Sequence, residues 1–319
     1  MGTDTNAQEL NKRLKLYADW GDLVRQQEET TNRVTTPLYH YTNMASLQGM
    51  IEHEKMWLTS IFHVNDPSEF SHGLKSATLG LAQCLEDYKD RPAAAEFCKE
   101  LWGLVETDYG KTFSFFIGSF SRTPNDLPQW RSYADNGRGV AIKVAPEWFH
   151  PSPADRSRPE EAYMVAPVVY SANKAQRRQY TALAKAAEVV ANAEADGLLE
   201  AKEVRQEFFV QLRIQVAIFV LWNALTTKHP AYKSEAETRL ILLSDVGRLA
   251  PVTKTRLRGS ELVPYVPIEF PLRRPGVLLE VMVGPAAGEP ARTAVASLLR
   301  ANGFDPTNIV TKSDIPYRA

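Results

Sequence analysis

The chain is short of cysteine, with Cys84 and Cys98 its only two among 319 residues. Two thiols cannot build a disulfide framework, and no Cys-x-x-Cys pair marks a redox or zinc motif. Both fall in segments that read as helical amid apolar neighbours, which fits a reducing, cytoplasmic setting. Metal-ligand spacing is also missing: His53, His63 and His72 stand on helix or turn segments without it, so no metal is expected. Neither Gly-x-Gly-x-x-Gly nor a P-loop occurs, which removes support for a Rossmann or nucleoside-triphosphatase reading. Charge of one sign is lacking too. The formal net charge is -1, which argues against a dedicated nucleic-acid surface and leaves open only a local basic patch. The most apolar run, residues 208–225, is interrupted by Gln211, Arg213 and Gln215. It reads as a buried core helix, and no membrane partner is expected. The first residues are polar, without the core of a signal peptide. Asn6 stands where N-myristoylation wants Ser or Thr.

What is present is enough apolar residue to bury a core: 44% hydrophobic against 24% charged. Residues 7–30 have helical spacing, with Leu10, Leu14, Tyr17 and Val24 on one face and Trp20 close to it. That helix is either packed on the main domain or an arm for a partner or a second copy. Short strands are expected at 38–41 and 56–60, with a helix between them capped by Thr42 or Asn43. Asn65-Asp66-Pro67 has the chemistry of a turn into a helix. Helices are expected at about 68–88 and 92–106, a buried strand at 113–120, a short helix at 127–134, and strands at 140–144 and 165–170. A long helical stretch, 173–227, should break at Asp196-Gly197 because glycine is costly inside a helix. Strands at 237–243, 261–270 and 277–283, a helix at 288–302 and a short strand near Ile309 complete the chain. The mixed order predicts an α+β fold with a central, mostly antiparallel sheet flanked by helices. Residues 1–34 read as a helical extension, and 35–319 as a single domain with a helical insertion at about 173–227.

Chemistry is concentrated in a few strings. In Glu235-Ala236-Glu237-Thr238-Arg239, extended alternation would put Glu235, Glu237 and Arg239 on one face. Two carboxylates and a guanidinium there suit a cationic or sugar-like group, the arginine holding one glutamate ionised. The plainer alternative is an exposed Glu–Arg pair worth under about 1 kcal/mol. His40, between Tyr39 and Tyr41, is placed to bond a ligand hydroxyl or to move a proton, unless it is only a satisfied strand histidine. Asp66 and Glu69 either cap a helix or stand at a pocket mouth. Ser119 and Ser121 end the buried strand, as ligand contacts or as simple terminators. Trp130 and Tyr133 share a helix face, which favours core packing over stacking on a flat ligand.

These strings in order resemble a bacterial family catalogued as a domain of unknown function, DUF2971. The resemblance runs through Leu38-Tyr39-His40-Tyr41-Thr42, Trp57-Leu58-Thr59-Ser60 and Asn65-Asp66-Pro67-Ser68-Glu69-Phe70. It continues through Ser119-Phe120-Ser121, Trp130 with Tyr133, and Gly139-Val140-Ala141-Ile142. It closes on Glu235-Ala236-Glu237-Thr238-Arg239, Val281-Met282-Val283-Gly284-Pro285 and Ser313-Asp314-Ile315-Pro316-Tyr317-Arg318. A looser resemblance is to the ADP-ribosyltransferase superfamily, in the order first-strand His, Ser, Glu-x-Glu. It implies NAD as substrate, His40 on its ribose, and Ser119 or Ser121 supporting the nicotinamide half. Glu237 would be catalytic and Glu235 would position an acceptor, which is a protein, a nucleic acid, a small molecule or water. Tyr41, Thr42, Tyr133 and Arg239 would line the same site. The middle element is Ser-Phe-Ser rather than Ser-Thr-Ser, and Tyr41, Tyr133 and Tyr232 compete for the pocket tyrosine. The expectation is an NAD-consuming transferase or glycohydrolase, acting as a toxin or phage-defence effector. Two alternatives stand beside it. One is a non-catalytic nucleotide-binding module. The other is a nuclease holding a divalent metal on Asp66, Glu69, Glu235 and Glu237.

Overall fold

A computed structural model of the chain describes residues 2–64, 68–107, 109–111, 113–150 and 158–318. Among them the helices are α1 (Gly2–Thr31), α2 (Met44–His53), α3 (Glu69–Asp87), α4 (Pro92–Glu100), α5 (Trp102–Glu106), α6 (Leu127–Tyr133), α7 (Ala172–Ala195), α8 (Lys202–Leu225), α9 (Val246–Leu249) and α10 (Glu289–Ala301). The strands are β1 (Leu38–Thr42), β2 (Lys55–Ser60), β3 (Phe113–Ser121), β4 (Val140–Val144), β5 (Met164–Pro167), β6 (Glu237–Asp245), β7 (Lys254–Arg258), β8 (Glu261–Glu269), β9 (Leu278–Val283) and β10 (Val310–Lys312). The chain divides into two compact units. The turn expected at Asn65-Asp66-Pro67, and with it any role of Asp66, lies outside the described residues.

The first unit comprises Met1–Asn32, Asp66–Tyr109 and Val169–Ala231, so the N-terminal helix and the 173–227 stretch fall in the same unit. It is helical. The long stretch breaks where glycine is: α7 ends at Ala195, Gly197 takes φ +71°, and α8 starts at Lys202. Leu10, Leu14 and Tyr17 of α1 are buried in the same core as Phe97, Leu183, Phe209 and Leu212. Burying each such side chain contributes roughly 1.5–3 kcal/mol. Gly73 lets α3 and α8 meet backbone to backbone, since a Cβ there would lie 2.4 Å from the Ala224 carbonyl oxygen. By length and composition α8 could cross a membrane, with mean hydropathy 1.6, yet half of that window is buried inside the fold. Phe208, Phe209, Leu212, Val216 and Val220 carry that burial, as the core-helix reading of 208–225 expects. The Cys84 and Cys98 sulfurs sit 3.3 Å apart as free thiols between α3 and α4. Glu69 heads α3, and no side-chain cap comes from Ser68. The Glu69 carboxylate is instead buried 3.8 Å from Lys228 Nζ.

The second unit comprises Arg33–Asn65, Gly110–Val168 and Tyr232–Ala319 and holds all ten strands of one sheet. Their order is β10-β9-β4-β1-β3-β2-β8-β7, with β6 on β3 and β5 on β6. Every pairing is antiparallel except β9 with β10. The expected class, a mixed α+β fold with a mostly antiparallel sheet, is what the chain adopts. Strand β3 is the branch point. β6 pairs along its whole length, from Phe113↔Asp245 to Ser121↔Glu237. Its other edge is shared between β1 at Ser121 and β2 at Phe116 and Ile117.

One face of the sheet is a core of Leu38, Leu58, Phe120, Ile142, Leu240, Val266 and Val281 under Leu47 and Ile51 of α2 and Val295 and Leu299 of α10. The opposite face carries the residues between those in each strand. There Tyr39, Tyr41 and Ala141 pack on Trp130 of α6. Asn43, not Thr42, caps α2, its side chain accepting from Ser46 N at 2.8 Å. Gly139 starts the β4 turn where a Cβ would lie 2.2 Å from the Thr42 carbonyl oxygen, so β1 and β4 close there only on glycine. Strand β7 has no counterpart in the sequence reading, because Lys-Thr-Arg-Leu-Arg lacks an apolar alternation.

Candidate functional site

Strand β6 begins at Glu237, and its pattern puts Glu237 and Arg239 on the same face as Ser119 and Ser121 of β3. All of this lies in the second unit. The Arg239 side chain is 1% exposed. Its Nε donates to Glu237 Oε1 at 2.9 Å and its Nη2 to Oε2 at 3.1 Å. Such paired, charge-assisted bonds are the strong kind. Burial pushes the Arg239 guanidinium down to about 9, which still leaves it a cation at neutral pH. The Ser119 hydroxyl donates to Glu237 Oε1 at 2.5 Å. The plain alternative of an exposed Glu–Arg pair is therefore not what the fold builds.

Glu235 is placed differently from the sequence expectation. It ends a 3-10 turn, Pro230–Glu235, before the strand starts. Ala236 takes φ +45° and breaks the alternation, so Glu235 does not continue the Glu237–Arg239 row. A left-handed alanine costs about 1–2 kcal/mol, and neighbours hold it there. The Ala236 carbonyl accepts from Arg122 N at 3.1 Å and Arg122 Nε at 3.3 Å, and its N–H donates to the Lys233 carbonyl at 3.2 Å. The Glu235 carbonyl accepts from the Ser121 hydroxyl at 2.7 Å and Gln129 Nε2 at 3.3 Å. The Glu235 carboxylate accepts from the Tyr133 hydroxyl at 2.8 Å. The kink thus turns two carboxylates toward different donors, Tyr133 for one and Ser119 with Arg239 for the other.

Helix α6 supplies both Gln129 and Tyr133, which lie four apart and so on one face. Asp126 caps it, accepting from Gln129 N at 3.2 Å. Trp130 is fully buried, its indole N–H on Asn125 Oδ1 at 2.7 Å. Asn125 Oδ1 also accepts from Ser313 Oγ at 2.8 Å, tying the chain's end to this helix. Of Trp130 and Tyr133, then, the first is core and the second reaches a candidate site residue. An open cleft of about 480 Å³ lies on the other side of α6, lined by Leu127, Pro128, Arg131, Ser132 and Asn136.

His40 approaches the group from elsewhere. It faces away from Tyr39 and Tyr41, with its ring centroid 5.4 Å from that of Phe120. Its Nδ1 donates to the Ser119 backbone carbonyl at 2.9 Å. A carbonyl only accepts, so the neutral ring is protonated at Nδ1 and Nε2 is its acceptor. Burial lowers the His40 pKa from its ordinary value of 6.5, and the Ser119 carbonyl partly offsets this. Tyr41 is taken up by structure: its hydroxyl donates to the Thr123 carbonyl at 2.9 Å and accepts from Asp126 N at 3.2 Å. Burial pushes its phenol well above the usual range. Thr42 is buried at the end of β1.

The fold thus brings together Ser119, Ser121, Tyr133, Glu235, Glu237 and Arg239, with His40 joined through the Ser119 backbone. Gln129 and Arg122 were not assigned a role from sequence. The i, i+4 spacing of Gln129 and Tyr133 was the available signal for the first. Among the described residues, no group of three or more His, Cys, Asp or Glu side chains converges in a way that could hold a metal ion.

Comparison with known families finds a match over part of this site. Residues 129–240 match the family described as "Protein of unknown function (DUF2971)", so the DUF2971 resemblance is shown over that span. The span includes Gln129, Tyr133, Glu235, Glu237 and Arg239, and leaves Ser119 and His40 outside it. No curated protein and no solved structure matches the chain.

Proposed function

We propose that the Glu235-Ala236-Glu237 turn is the centre of an NAD-consuming site of ADP-ribosyltransferase type, cleaving the nicotinamide–ribose bond. The observation that carries this reading is the Ser119–Glu237–Arg239 chain of hydrogen bonds on facing strands, with a second carboxylate two residues upstream on Tyr133. Cleavage passes through an oxocarbenium-like ribosyl cation, which a pre-oriented carboxylate stabilises without reorganising. Nicotinamide leaves with the bonding pair. The acceptor's oxygen or nitrogen then bonds the ribosyl carbon, and its proton goes to a carboxylate. Glu237 is the group assigned to the cation, and Ser119 and Arg239 fix its orientation. Glu235, held by Tyr133, is assigned to the acceptor. His40, whose ring lies on the other face of the sheet beside Phe120, is left out of this site. The acceptor class is open to protein, nucleic acid, small molecule or water. The setting proposed is cytoplasmic, as a toxin or phage-defence effector.

A second reading has its own support. Both Glu237 oxygens already accept from Arg239, as they would in a rigid binding module that does no chemistry. Incubation of the full chain with NAD separates the two. Nicotinamide release supports the transferase reading, and NAD binding without release supports the module. Glu235→Gln keeps an acceptor for Tyr133. It is expected to lower transfer to an acceptor more than the stability of the fold.

A further inference from the structure

The β7 end of the sheet carries a cluster that the Glu237 site does not use. Register puts Trp57 and Thr59 of β2, Tyr265 of β8, and Lys254, Arg256 and Arg258 of β7 on one sheet face. Trp57 and Tyr265 lie with ring centroids 4.4 Å apart. The Arg256 guanidinium covers both, 5.2 Å from the Trp57 ring and 5.9 Å from that of Tyr265. Its Nη2 donates to Thr59 Oγ1 at 3.0 Å, and its Nε meets no acceptor among the described residues. Trp57 nevertheless stays 43% exposed, so part of its ring remains open to solvent. Lys254 and Arg258 flank Arg256 and are exposed. Arg258 pairs with the surface carboxylate of Glu261 at 2.9 Å, a pair that an incoming anion displaces at little cost.

We propose that this β2–β8–β7 edge binds single-stranded nucleic acid, one base stacking on Trp57 and the adjoining phosphates meeting Arg256, Lys254 and Arg258. Exposed aromatics beside a basic track are how sequence-tolerant single-strand sites are built. Alternate residues of a strand stand about 6.6 Å apart, so the three cations span about 13 Å. That is longer than the phosphates of one nucleotide and suits a chain of them. A duplex keeps its base faces stacked inside, where the Trp57 ring cannot reach them. A chain with net charge -1 can still carry such a patch, because the field that matters is local. This inference does not depend on the Glu237 reading.

The test is fluorescence anisotropy of a short labelled oligothymidylate titrated with the full chain at several salt concentrations. Wild type is expected to bind. Trp57→Ala is expected to weaken binding about tenfold, with Trp57→Phe restoring most of it. Lys254→Ala with Arg258→Ala should lower the slope of log affinity against log salt by about 1.4. Absence of binding at low salt would overturn the proposal. So would equal binding by wild type and Trp57→Ala, or a heparin fragment competing as well as the unlabelled oligonucleotide, since either outcome means charge alone.

Discussion

Replacing Arg239 by Met is the sharpest perturbation of the site. The guanidinium is 1% exposed and the Glu237 side chain 5%. The substitution removes two charge-assisted bonds while the carboxylate stays buried. Breaking one side of a buried pair costs about 3–5 kcal/mol. Glu237→Gln strands the arginine instead and is expected to cost a similar amount, although its amide oxygen can still accept from Ser119. The double variant, Glu237→Gln with Arg239→Met, removes both charges together. It should lose less than the two singles summed, with a coupling of about 2–3 kcal/mol. Urea unfolding followed by tryptophan fluorescence and far-UV circular dichroism measures all four proteins. Single variants that lose under about 1 kcal/mol, or a double equal to their sum, would refute the claim that this is a tightly coupled buried pair.

Three further outcomes are expected. Ala236→Gly relieves a left-handed alanine and should raise stability by about 0.5–1 kcal/mol in the same unfolding assay. Gly73→Ala presses a methyl group against the Ala224 carbonyl and should cost about 1–3 kcal/mol, read as a lower melting temperature. His40 has its pKa lowered by burial from 6.5, so the unfolded chain takes up its proton first as pH falls. Its stabilising contribution is full above the unfolded value and is lost as pH drops through the folded one. Melting temperatures measured from about pH 7.5 to 5.5 should therefore fall more steeply for wild type than for His40→Gln.

Much of the fold was legible because its signals are local. Gly197 broke the long helical stretch where a left-handed residue was needed, and the aromatic run at 113–121 formed the strand from which the sheet branches. Strand β7 was not legible. As an edge strand it exposes Lys254, Thr255, Leu257 and Arg258, and a charged edge carries no burial pattern to read. The site was half legible. Arg239 followed by Leu-Ile-Leu-Leu is a charge entering an apolar strand, and such a charge is paired when buried. The misplacement of Glu235 has a different cause. Strand alternation was carried back through Ala236, and an alanine gives no sign of a left-handed backbone, which Gly, Asn or Asp would have given. His40 looked like a partner of Glu237 by order along the chain. Alternation in β1 instead sends its ring beside Phe120, so it touches the Ser119 backbone rather than its hydroxyl.

Nicotinamide release from NAD, measured for wild type and for Glu237→Gln below the melting temperature of each, tests the central claim most directly. The account predicts release by wild type and loss of at least about a hundredfold in the variant, the scale expected when a group that stabilises transition-state charge is removed. Equal release by both folded proteins would contradict the assignment of Glu237. Binding of NAD by both with release by neither would leave the site as a binding module.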